Sequence, residues 1–587
     1  MTREFLLDGT WEFLTDKEQK GLNEKWFEKK PRGCMKVEVP GPWNLYDPAL
    51  FHYRGHAWYF RHFRVRDETW REPIILRFEG VQYDATVWLN GKKLGQHVGS
   101  YTPFEFEIGG AVRRGRSNFL VVMVDNKLDD KTVPAWGVDY FVYGGIFREV
   151  RVIFRPHFHI ADVRVVTKTS GDVTVTVDVA NMAPQDMVGR LELRVDNALA
   201  SSVAETAEDV SLQANGTRRV GFRLSIKNVR LWDISEPYLY RAFLVLKRDG
   251  VTVDGKSLNV GVREFTTNGN RILLNGRPIK IHGISRHEDH PAVGNSPSEE
   301  VLIRDYNLIK WANCNLVRLA HYPHSEREIE IADRMGLLLI AEIPNIFLTV
   351  AMMKRPEALQ LAKEYLRDLI GRDKNHPSVA MWCLAIECET DKPEGEAYMK
   401  ALFEYGRTLD NTRPFLHASD KILNERAYQY ADIIGCNAFQ GWYDYTDPRT
   451  FYGETLDTVH GRFPDKPILL TSHGAEGLAG RRSLEMEKWT EDFQNFYIES
   501  VADQMLQRPY VSGEILWHFM DFRVDLWNAG EGLYMITRSF ATRPGEYNNK
   551  GIVDRNRQPK SAYFKLREIY AKWKKLYPAR PKRKATS

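Results

Sequence analysis

The N-terminal part of the chain consists of short runs in which apolar and polar residues alternate and which end at Gly or Asn. Residues 74–80, 85–91 and 119–126 are three such runs. Alternation with a period of two, closed by a turn residue, is typical of half-buried strands. We therefore predict a jelly-roll-like β-sandwich over residues 1–155. A second set of alternating runs, which includes residues 173–179 and 242–247, predicts an immunoglobulin-like β-sandwich over residues 156–263.

The pattern changes after residue 263. Helical periods over residues 301–311 and 355–372 alternate with short apolar runs at residues 337–342, 379–384, 433–437, 468–471 and 513–517. Apolar strands that alternate with helices indicate a parallel sheet covered on both faces, most simply a (β/α)8 TIM barrel over residues 264–587. The residue that ends each strand of such a barrel points into the site, and here those residues are Glu342, Glu387, Asn437, Ser472 and Trp517.

Composition narrows the class of protein. The chain of 587 residues has 43% hydrophobic and 27% charged residues and a net charge of +4, which excludes a largely disordered or fibrous chain. Its five cysteines form no CxxC pair, so neither a disulfide scaffold nor a Cys-rich zinc module is expected. Aromatic residues make up 12% of the chain, with 15 Trp and 26 Tyr, and flat apolar rings beside polar groups suit a carbohydrate ligand.

Targeting and partner signals are few. No apolar run approaches the length of about 18 residues that a membrane helix needs, and the first nine residues leave no room for a signal peptide. We expect a cytoplasmic protein that forms a homo-oligomer and binds neither membranes nor nucleic acid. The basic residues 580–584 are interpreted as a solvated terminus.

The segment of residues 372–387, RDKNHPSVAMWCLAIE, carries the strongest motif and ends on Glu387. Residues 315–323 (NLVRLAHYP) and 282–289 (HGISRHED) precede it in the chain. Two sandwiches, a barrel and these motifs in this order resemble glycoside hydrolase family 2 over residues 9–570. The resemblance implies a sugar-binding role for the N-terminal sandwich and a catalytic role for the barrel.

Within this family the chain is most similar to the β-glucuronidases. The resemblance assigns Glu387 as the general acid and base of a retaining mechanism, in which a second carboxylate about 5–5.5 Å away attacks the sugar. It assigns Asn548 and Lys550, before Gly551, to the sugar carboxylate, for which an amide and an ammonium are suitable donors. The binding surface that it implies consists of Asp139, His321, Trp517, Asn548 and Lys550. Further candidates for contact with the substrate are Ile386, Phe439, Tyr443 and His473.

Three departures from the family pattern concern the second carboxylate. Ser472 occupies the nucleophile position, with His473 at the aromatic position that follows it. Ile386 replaces the Asn that contacts the sugar 2-hydroxyl. Phe439, in the segment of residues 436–443 that ends at Tyr443, replaces the Tyr that supports the nucleophile.

The residues leave three substitutes for the missing nucleophile open. A Ser472–His473 dyad is disfavoured because neighbours on a strand point to opposite faces. The thiols of Cys388 and Cys436 are a second route, although buried neutral thiols are the favoured interpretation. A third route inverts configuration, with a second acid activating water at about 6.5–9.5 Å. Its candidates are Glu389, Glu476 and acids of the insert 523–547, namely Asp525, Glu531 and Glu546.

The sequence therefore predicts an enzyme that acts on a β-linked uronide or related glycoside, with Glu387 as acid and base and a non-standard second group. The alternative is a catalytically silent homologue that binds glycosides. No cofactor is expected. The spacing of His287, His321, His473 and His518 does not indicate a metal site.

Overall fold

The computed structural model describes residues 1–524 and 543–577. Its N-terminal part is a sandwich of a four-stranded and a six-stranded sheet. The core between them contains Trp11, Trp43 and Tyr59. The strands of the four-stranded sheet are, in sheet order, Arg3–Leu6, Val150–Phe154, Ile74–Phe78 and Phe104–Glu107. Those of the six-stranded sheet are Met35–Val39, Gly9–Thr15, His56–Arg64, Ser117–Asp125, Asp84–Leu89 and Lys92–Val98. A short pair, Val81–Gln82 with Gly145–Ile146, and the 3-10 turns Trp43–Leu45 and Pro48–Leu50 complete it.

The second part is an immunoglobulin-like sandwich of seven strands in two sheets. The three-stranded sheet consists of Phe158–Thr167, Asp172–Asn181 and Thr217–Ser225. The four-stranded sheet consists of Ser202–Leu212, Met187–Asp196, Tyr240–Arg248 and Val251–Val260. Along Asp172–Asn181 every second side chain is buried, because one face of the sheet packs on the core and the other faces water. Trp232–Asp233 pairs with Glu236–Pro237 beside the barrel.

The third part is a closed barrel of eight parallel strands, preceded by the small sheet Phe265–Asn268, Arg271–Leu274 and Arg277–Pro278. The barrel strands, in order, are Ile281–Arg286, Leu316–Leu319, Leu338–Glu342, Val379–Ile386, Phe415–Ser419, Ile434–Asn437, Ile468–His473 and Val511–Leu516. Every residue of the fourth strand is buried, because helices cover the outside and side chains fill the inside.

Helices surround the barrel. They are Glu299–Trp311, Glu326–Met335, Val350–Met353, Pro356–Asp373, Pro393–Leu409, Phe451–Arg462, Glu491–Leu506 and Ser561–Leu576. The 3-10 turns Ala427–Gln429 and Pro544–Glu546 and the pair Phe522–Arg523 with Tyr547–Asn548 lie between them.

The predicted fold is confirmed: a β-sandwich, an immunoglobulin-like sandwich and a (β/α)8 barrel follow one another along the chain. The helical periods predicted at 301–311 and 355–372 correspond to Glu299–Trp311 and Pro356–Asp373. Asp525, Glu531 and the basic residues 580–584 lie outside the described residues. Over the described ranges, no helix combines the length and the apolar character that crossing a membrane requires.

A loop of the N-terminal sandwich contacts the mouth of the barrel. The Tyr143 hydroxyl donates to Asp289 over 2.6 Å, and Arg148 pairs with Glu288 at 2.9 Å. The Phe141 N–H donates to the Arg523 carbonyl over 3.0 Å. The loop that carries Asp139 is therefore fixed against the end of the barrel at which the strands terminate.

Candidate active site

Glu387 follows the fourth barrel strand at the mouth. Its N–H donates to the Ala418 carbonyl over 2.8 Å, and its φ of 51° lies in the left-handed region that non-glycine residues seldom adopt. The Asn437 amide donates to Glu387 Oε1 over 2.9 Å. The side chain is 5% exposed, so the carboxyl group is held at the edge of the protein interior by a neutral partner.

Asn437, the last residue of the sixth strand, is hydrogen-bonded both to Glu387 after the fourth strand and to the seventh strand. Its Oδ1 accepts a hydrogen bond of 2.7 Å from the Thr471 hydroxyl, while its Nδ2 donates to Glu387 Oε1. Asn437 is also the register partner of Ser472. Two hydrogen bonds therefore link the Glu387 carboxyl to the residue beside Ser472.

Ser472 is held by a buried arginine. Arg318 Nη1 donates to Ser472 Oγ over 2.7 Å and to the Thr471 carbonyl over 3.0 Å, and its Nε donates to Glu342 Oε1. The side chains of Arg318 and Glu342 are fully buried. The hydroxyl at the end of the seventh strand thus faces a guanidinium that an acid on the third strand orients.

His321 and Trp517 extend this network across the mouth. His321 Nδ1 lies 3.0 Å from Glu342 Oε2, and its ring stacks on Trp517 with centroids 4.8 Å apart. Burial acts to raise the pKa of Glu342, but Arg318 and His321 outweigh it and the pKa is lowered. Glu342 is therefore a fixed negative charge between two strand ends.

His473 does not line the site with Ser472. Its ring is fully buried and lies 3.5 Å from Glu514 and 6.3 Å from the Tyr452 ring, on the side of the strand that faces the helices. Burial lowers the pKa of His473 to about 3 and raises that of Glu514 to about 8. The ring of His473 therefore points away from Ser472, because adjacent strand residues point to opposite faces.

Lys550 lies in an aromatic cluster beside a carboxylate. Its Nζ donates to the Tyr443 hydroxyl over 2.9 Å and to Glu476 Oε1 over 3.2 Å. The same nitrogen is 5.5 Å from the centroids of the Phe439 and Trp442 rings. Lys550 is 1% exposed, so an acid and aromatic faces stabilise its buried charge.

Glu476 is engaged by three groups of this cluster. Besides Lys550 it accepts the Asn549 N–H over 2.9 Å, and it lies 3.4 Å from Arg543 Nε. Burial acts to raise the pKa of Glu476, but Lys550 and Arg543 lower it below its usual value. Glu476, which the sequence offers as a candidate for activating water, is therefore a carboxylate in ion pairs with Lys550 and Arg543.

Asn548 precedes this cluster and is buried, with its Oδ1 accepting the Lys550 N–H over 3.1 Å. Lys560 ties the surrounding loops together. Its Nζ donates to the Gly477 carbonyl over 2.8 Å, to Asp521 Oδ1 over 2.8 Å and to the Asn549 carbonyl over 2.9 Å. One ammonium therefore fixes the loop after the seventh strand, the loop after the eighth strand and the Asn548–Lys550 segment.

Asp139 and Ile386 differ in their surroundings. Asp139 is half-buried, and its Oδ1 has no hydrogen-bond partner in residues 1–524 and 543–577. Its charge acts on Arg543, which belongs to the Lys550 cluster. Ile386 packs in an apolar cluster with Trp517 and Phe439. One wall of the mouth is therefore apolar, and Asp139 faces the cationic side.

The remaining candidates are engaged elsewhere. Burial raises the pKa of the Cys388 and Cys436 thiols to about 12, so both are neutral. Glu389 accepts the Val350 N–H over 2.7 Å, and Glu546 pairs with Arg523 at 3.2 Å. The rings of His287, His321 and His518 gather at the mouth, but His473 lies behind its strand.

Sequence reasoning missed three cations: Arg318, Arg543 and Lys560. Arg318 lies within the apolar strand Leu316–Leu319, and a charge inside such a run is itself a signal, because an unpaired charge is seldom buried. The partners of Arg543 and Lys560 are distant in sequence, and no spacing rule indicates them.

Family models match three consecutive parts of the chain. The sugar binding domain of glycosyl hydrolases family 2 matches residues 5–156, a second model described as glycosyl hydrolases family 2 matches residues 158–263, and the family 2 TIM barrel domain matches residues 265–575.

Individual relatives cover the whole length. The chain is 29% identical to a β-glucuronidase of Paenibacillus borealis over 603 residues, 97% of each chain. It is 28% identical to the β-glucuronidase of Homo sapiens over 618 residues, 97% of this chain and 90% of that one.

Solved structures show the same likeness. One is a GH2 β-galacturonidase from Eisenbergiella tayi bound to galacturonate, with a TM-score of 0.87, 28% identity and 97% of each chain covered. Another is the β-glucuronidase from Ruminococcus gnavus in complex with D-glucuronic acid, with a TM-score of 0.87, 28% identity and 97% and 98% covered. The chain is thus similar over nearly its whole length to proteins whose bound ligands are uronic acids.

Proposed function

The chain belongs to the glycosyl hydrolases of family 2, and from that premise we propose that it acts on a β-linked uronide with Glu387 as general acid and base. The observation that carries this proposal is the fixed position of the Glu387 carboxyl at the barrel mouth, with Asn437 as a neutral partner 2.9 Å away. A general acid has to be positioned and has to be able to hold a proton. The Asn437 amide provides the positioning, because its hydrogen bond fixes the direction in which Oε1 points.

The cations beside the mouth support a sugar carboxylate as the recognised group. Lys550 and Arg543 both lie against Glu476, so an ammonium and a guanidinium are gathered at one side of the mouth. Both groups can bind a ligand carboxylate through charge-assisted hydrogen bonds. The ligands named for two similar structures, galacturonate and D-glucuronic acid, are of this chemical class. We propose that Lys550 and Asn548 contact the carboxylate and that Asp139 contacts a sugar hydroxyl.

His321, Trp517 and Phe439 are proposed to contact the sugar ring. The stacked His321 and Trp517 rings offer one flat face and Phe439 another, and such faces pack on the C–H surfaces of a sugar. Ile386 in this wall cannot hydrogen-bond a 2-hydroxyl. The group opposite Glu387 is proposed to be non-standard, with the Ser472 hydroxyl at the nucleophile position.

One experiment tests this proposal. The full-length protein is incubated with β-glucuronides, β-galacturonides and the matching neutral β-glucosides, and the sugars are followed by NMR. We expect turnover of a uronide, with the anomeric configuration of the first product visible before mutarotation. Turnover of the neutral glycosides alone would contradict the assignment of a uronide.

A second candidate, binding without hydrolysis, is favoured by one observation. Glu342 and Glu476, the described carboxylates nearest to Arg318 and Lys550, are both held in ion pairs. A carboxylate that neutralises a buried cation is a poor base or nucleophile, because leaving the pair would strand the cation. In the same NMR experiment this candidate predicts saturable shifts of a uronide and no new anomeric signal.

A further inference from the structure

Arg318 has hydrogen-bond donors that the described residues do not use. Its Nε and Nη1 are engaged by Glu342, Ser472 and the Thr471 carbonyl, but Nη2 has no hydrogen-bond partner in residues 1–524 and 543–577. The side chain is fully buried. A buried charged donor without an acceptor is costly and rare, so this nitrogen indicates that an acceptor binds there.

Ser472 is a second donor at the same point. Its Oγ accepts the hydrogen bond from Arg318 Nη1, which leaves the hydroxyl hydrogen to be donated. No residue of the described ranges accepts that hydrogen. A guanidinium edge and a hydroxyl therefore present hydrogens without acceptors side by side, inside the protein and at the end of a barrel strand.

The guanidinium keeps its charge in this position. Burial acts to lower the pKa of Arg318, but the nearby carboxylates, Glu342 first and Glu387 among the others, raise it above its usual value. Its planar N–H groups suit two-oxygen acceptors better than a single neutral oxygen. The ligand chemistry that fits these donors is a small oxyanion.

The position relative to Glu387 gives this oxyanion a chemical role. Asn437 bonds both Glu387 Oε1 and the hydroxyl of Thr471, the residue before Ser472. The acid and the two donors therefore belong to one hydrogen-bonded unit at the mouth.

We propose that Arg318 and Ser472 form a subsite for a small oxyanion, a carboxylate or phosphate, which supplies the attacking oxygen that the seventh strand lacks. This inference rests on the proposed function, because it uses Glu387 as the acid on the same sugar. An oxyanion oxygen forms a bond to C1 as the bond from C1 to the aglycone oxygen breaks. Glu387 gives its proton to that leaving oxygen and recovers a proton from solvent. The products are a glycosyl ester or glycosyl phosphate and the free alcohol.

The test uses the full-length protein and a 4-nitrophenyl β-D-glucuronide. Sodium formate or sodium phosphate is titrated at constant ionic strength, with chloride as the balancing anion. We expect a saturable rise in nitrophenol release of roughly tenfold or more over chloride alone, equivalent to one decade in a rate or binding constant. A new 31P signal from a glycosyl phosphate would identify phosphate as the source, and a response to formate alone would identify a carboxylate.

Ser472→Glu is the matched variant, because it places a covalently attached carboxylate at the subsite. The response to formate and phosphate should disappear in this variant, whereas Ser472→Ala, which keeps Arg318, should retain a weaker response. Thermal unfolding of all three proteins shows whether they are folded. An equal response in Ser472→Glu and wild type would overturn the proposal.

A readout without sugar separates this inference from the proposed function. Formate or phosphate should raise the Tm of the wild type saturably relative to chloride and should not do so in Ser472→Glu, while uronic acid binding is measured separately by NMR. Binding of uronic acid without any effect of either oxyanion on rate or Tm refutes the subsite alone. An oxyanion effect on Tm that Ser472→Glu abolishes, without uronide binding, supports the subsite and contradicts the uronide assignment.

Discussion

The fourth and seventh strands of the barrel end at the same mouth with opposite chemistry. The fourth is followed by a carboxyl group, Glu387, which accepts a hydrogen bond from the neutral amide of Asn437. The seventh ends in a neutral hydroxyl, Ser472, whose partner is the charged guanidinium of Arg318. The first pair fixes the direction of a carboxyl group. The second pair is arranged to stabilise negative charge, but the side chain present there carries none.

The comparison teaches that the two halves of the mouth are specified independently. Arg318, Glu342 and His321 form a complete electrostatic frame around Ser472, although the hydroxyl makes use of only one of its hydrogen bonds. A frame of fixed dipoles and charges can therefore be present without the group on which it would act.

Glu387→Gln should produce the largest effect and tests the fourth-strand half. Glutamine keeps the shape and the contact with Asn437 but cannot donate a proton to a leaving group. We expect kcat to fall by about 10²–10⁴-fold, while binding of an unreactive uronide analogue changes by no more than a few-fold. Steady-state kinetics with leaving groups of different pKa provides the measurement, and activated aryl leaving groups should be least affected. Full activity in this variant would show that the acid is another residue.

Lys550→Ala separates recognition from chemistry and should have the next largest effect. Removing one charge-assisted contact costs about 1.5–3 kcal/mol, which corresponds to roughly 10–150-fold in affinity for a uronide. The matching neutral glycoside is the control ligand, because it lacks the carboxylate but contacts the same aromatic walls. Calorimetric titration of both ligands should give a loss for the uronide only. Equal losses would indicate that Lys550 stabilises the cluster around Glu476 without reading a carboxylate.

Glu514→Gln tests whether the contact between Glu514 on the eighth strand and His473 on the seventh strand is structural. Burial raises the pKa of Glu514 to about 8, above the value near 4.5 of an exposed glutamate, so the folded protein favours the protonated form. The stability that this preference contributes is complete below about pH 4.5 and is lost as the pH rises to about 8. The Gln variant should therefore gain stability over the wild type progressively across this window, on the order of a few kcal/mol at its upper end.

The readout for Glu514→Gln is the denaturation midpoint at a series of pH values, with kcat measured in parallel. A parallel loss of kcat would place the His473–Glu514 pair in the chemistry. An advantage of the variant that is the same at pH 5 and pH 8 would contradict the buried, protonated carboxyl.

The last prediction is that a covalent reaction at a carboxylate does not occur. It tests the side of the mouth formed by Ser472 and Arg318. With a hydroxyl at residue 472, Phe439 without a supporting hydroxyl and Ile386 unable to hold a 2-hydroxyl, no carboxylate-linked glycosyl-enzyme should form. After incubation with a 2-fluoro glycosyl fluoride, the intact mass should be unchanged or show an adduct that peptide mapping assigns to a hydroxyl or a cysteine. An adduct on an Asp or Glu would reveal a relocated nucleophile, with Glu476 the first residue to examine.

The fold could be predicted almost completely, and the reason is periodicity. Runs such as Val379–Ile386 are apolar throughout because both faces of a parallel strand are covered, and that property is local in sequence. The ends of the strands could be predicted from the same runs, and this identified Glu342, Glu387, Asn437 and Ser472 as candidate site residues. Glu387 and Trp517 each lie one residue beyond their strands, which end at Ile386 and Leu516.

The partners of these residues could not be predicted. Arg318 bonds to Ser472 across 154 positions and Lys550 to Glu476 across 74, and nothing local marks either contact. The direction of the His473 ring, in contrast, follows from a local property of the strand. The family position suggested a role at the sugar, but the two-residue period of the strand turns its ring toward the helices.

The ammonium of Lys560 also bears on how the protein is made. The three segments that it holds, at Gly477, Asp521 and Asn549, all precede it in the chain. Because a ribosome releases the polypeptide from its N-terminus, the eight barrel strands emerge before the group that fastens the loops around Asn548 and Lys550. Among the described elements, only the helix Ser561–Leu576 emerges after Lys560. A nascent chain therefore cannot join these three loops through Lys560 until nearly all of its described elements have been synthesised.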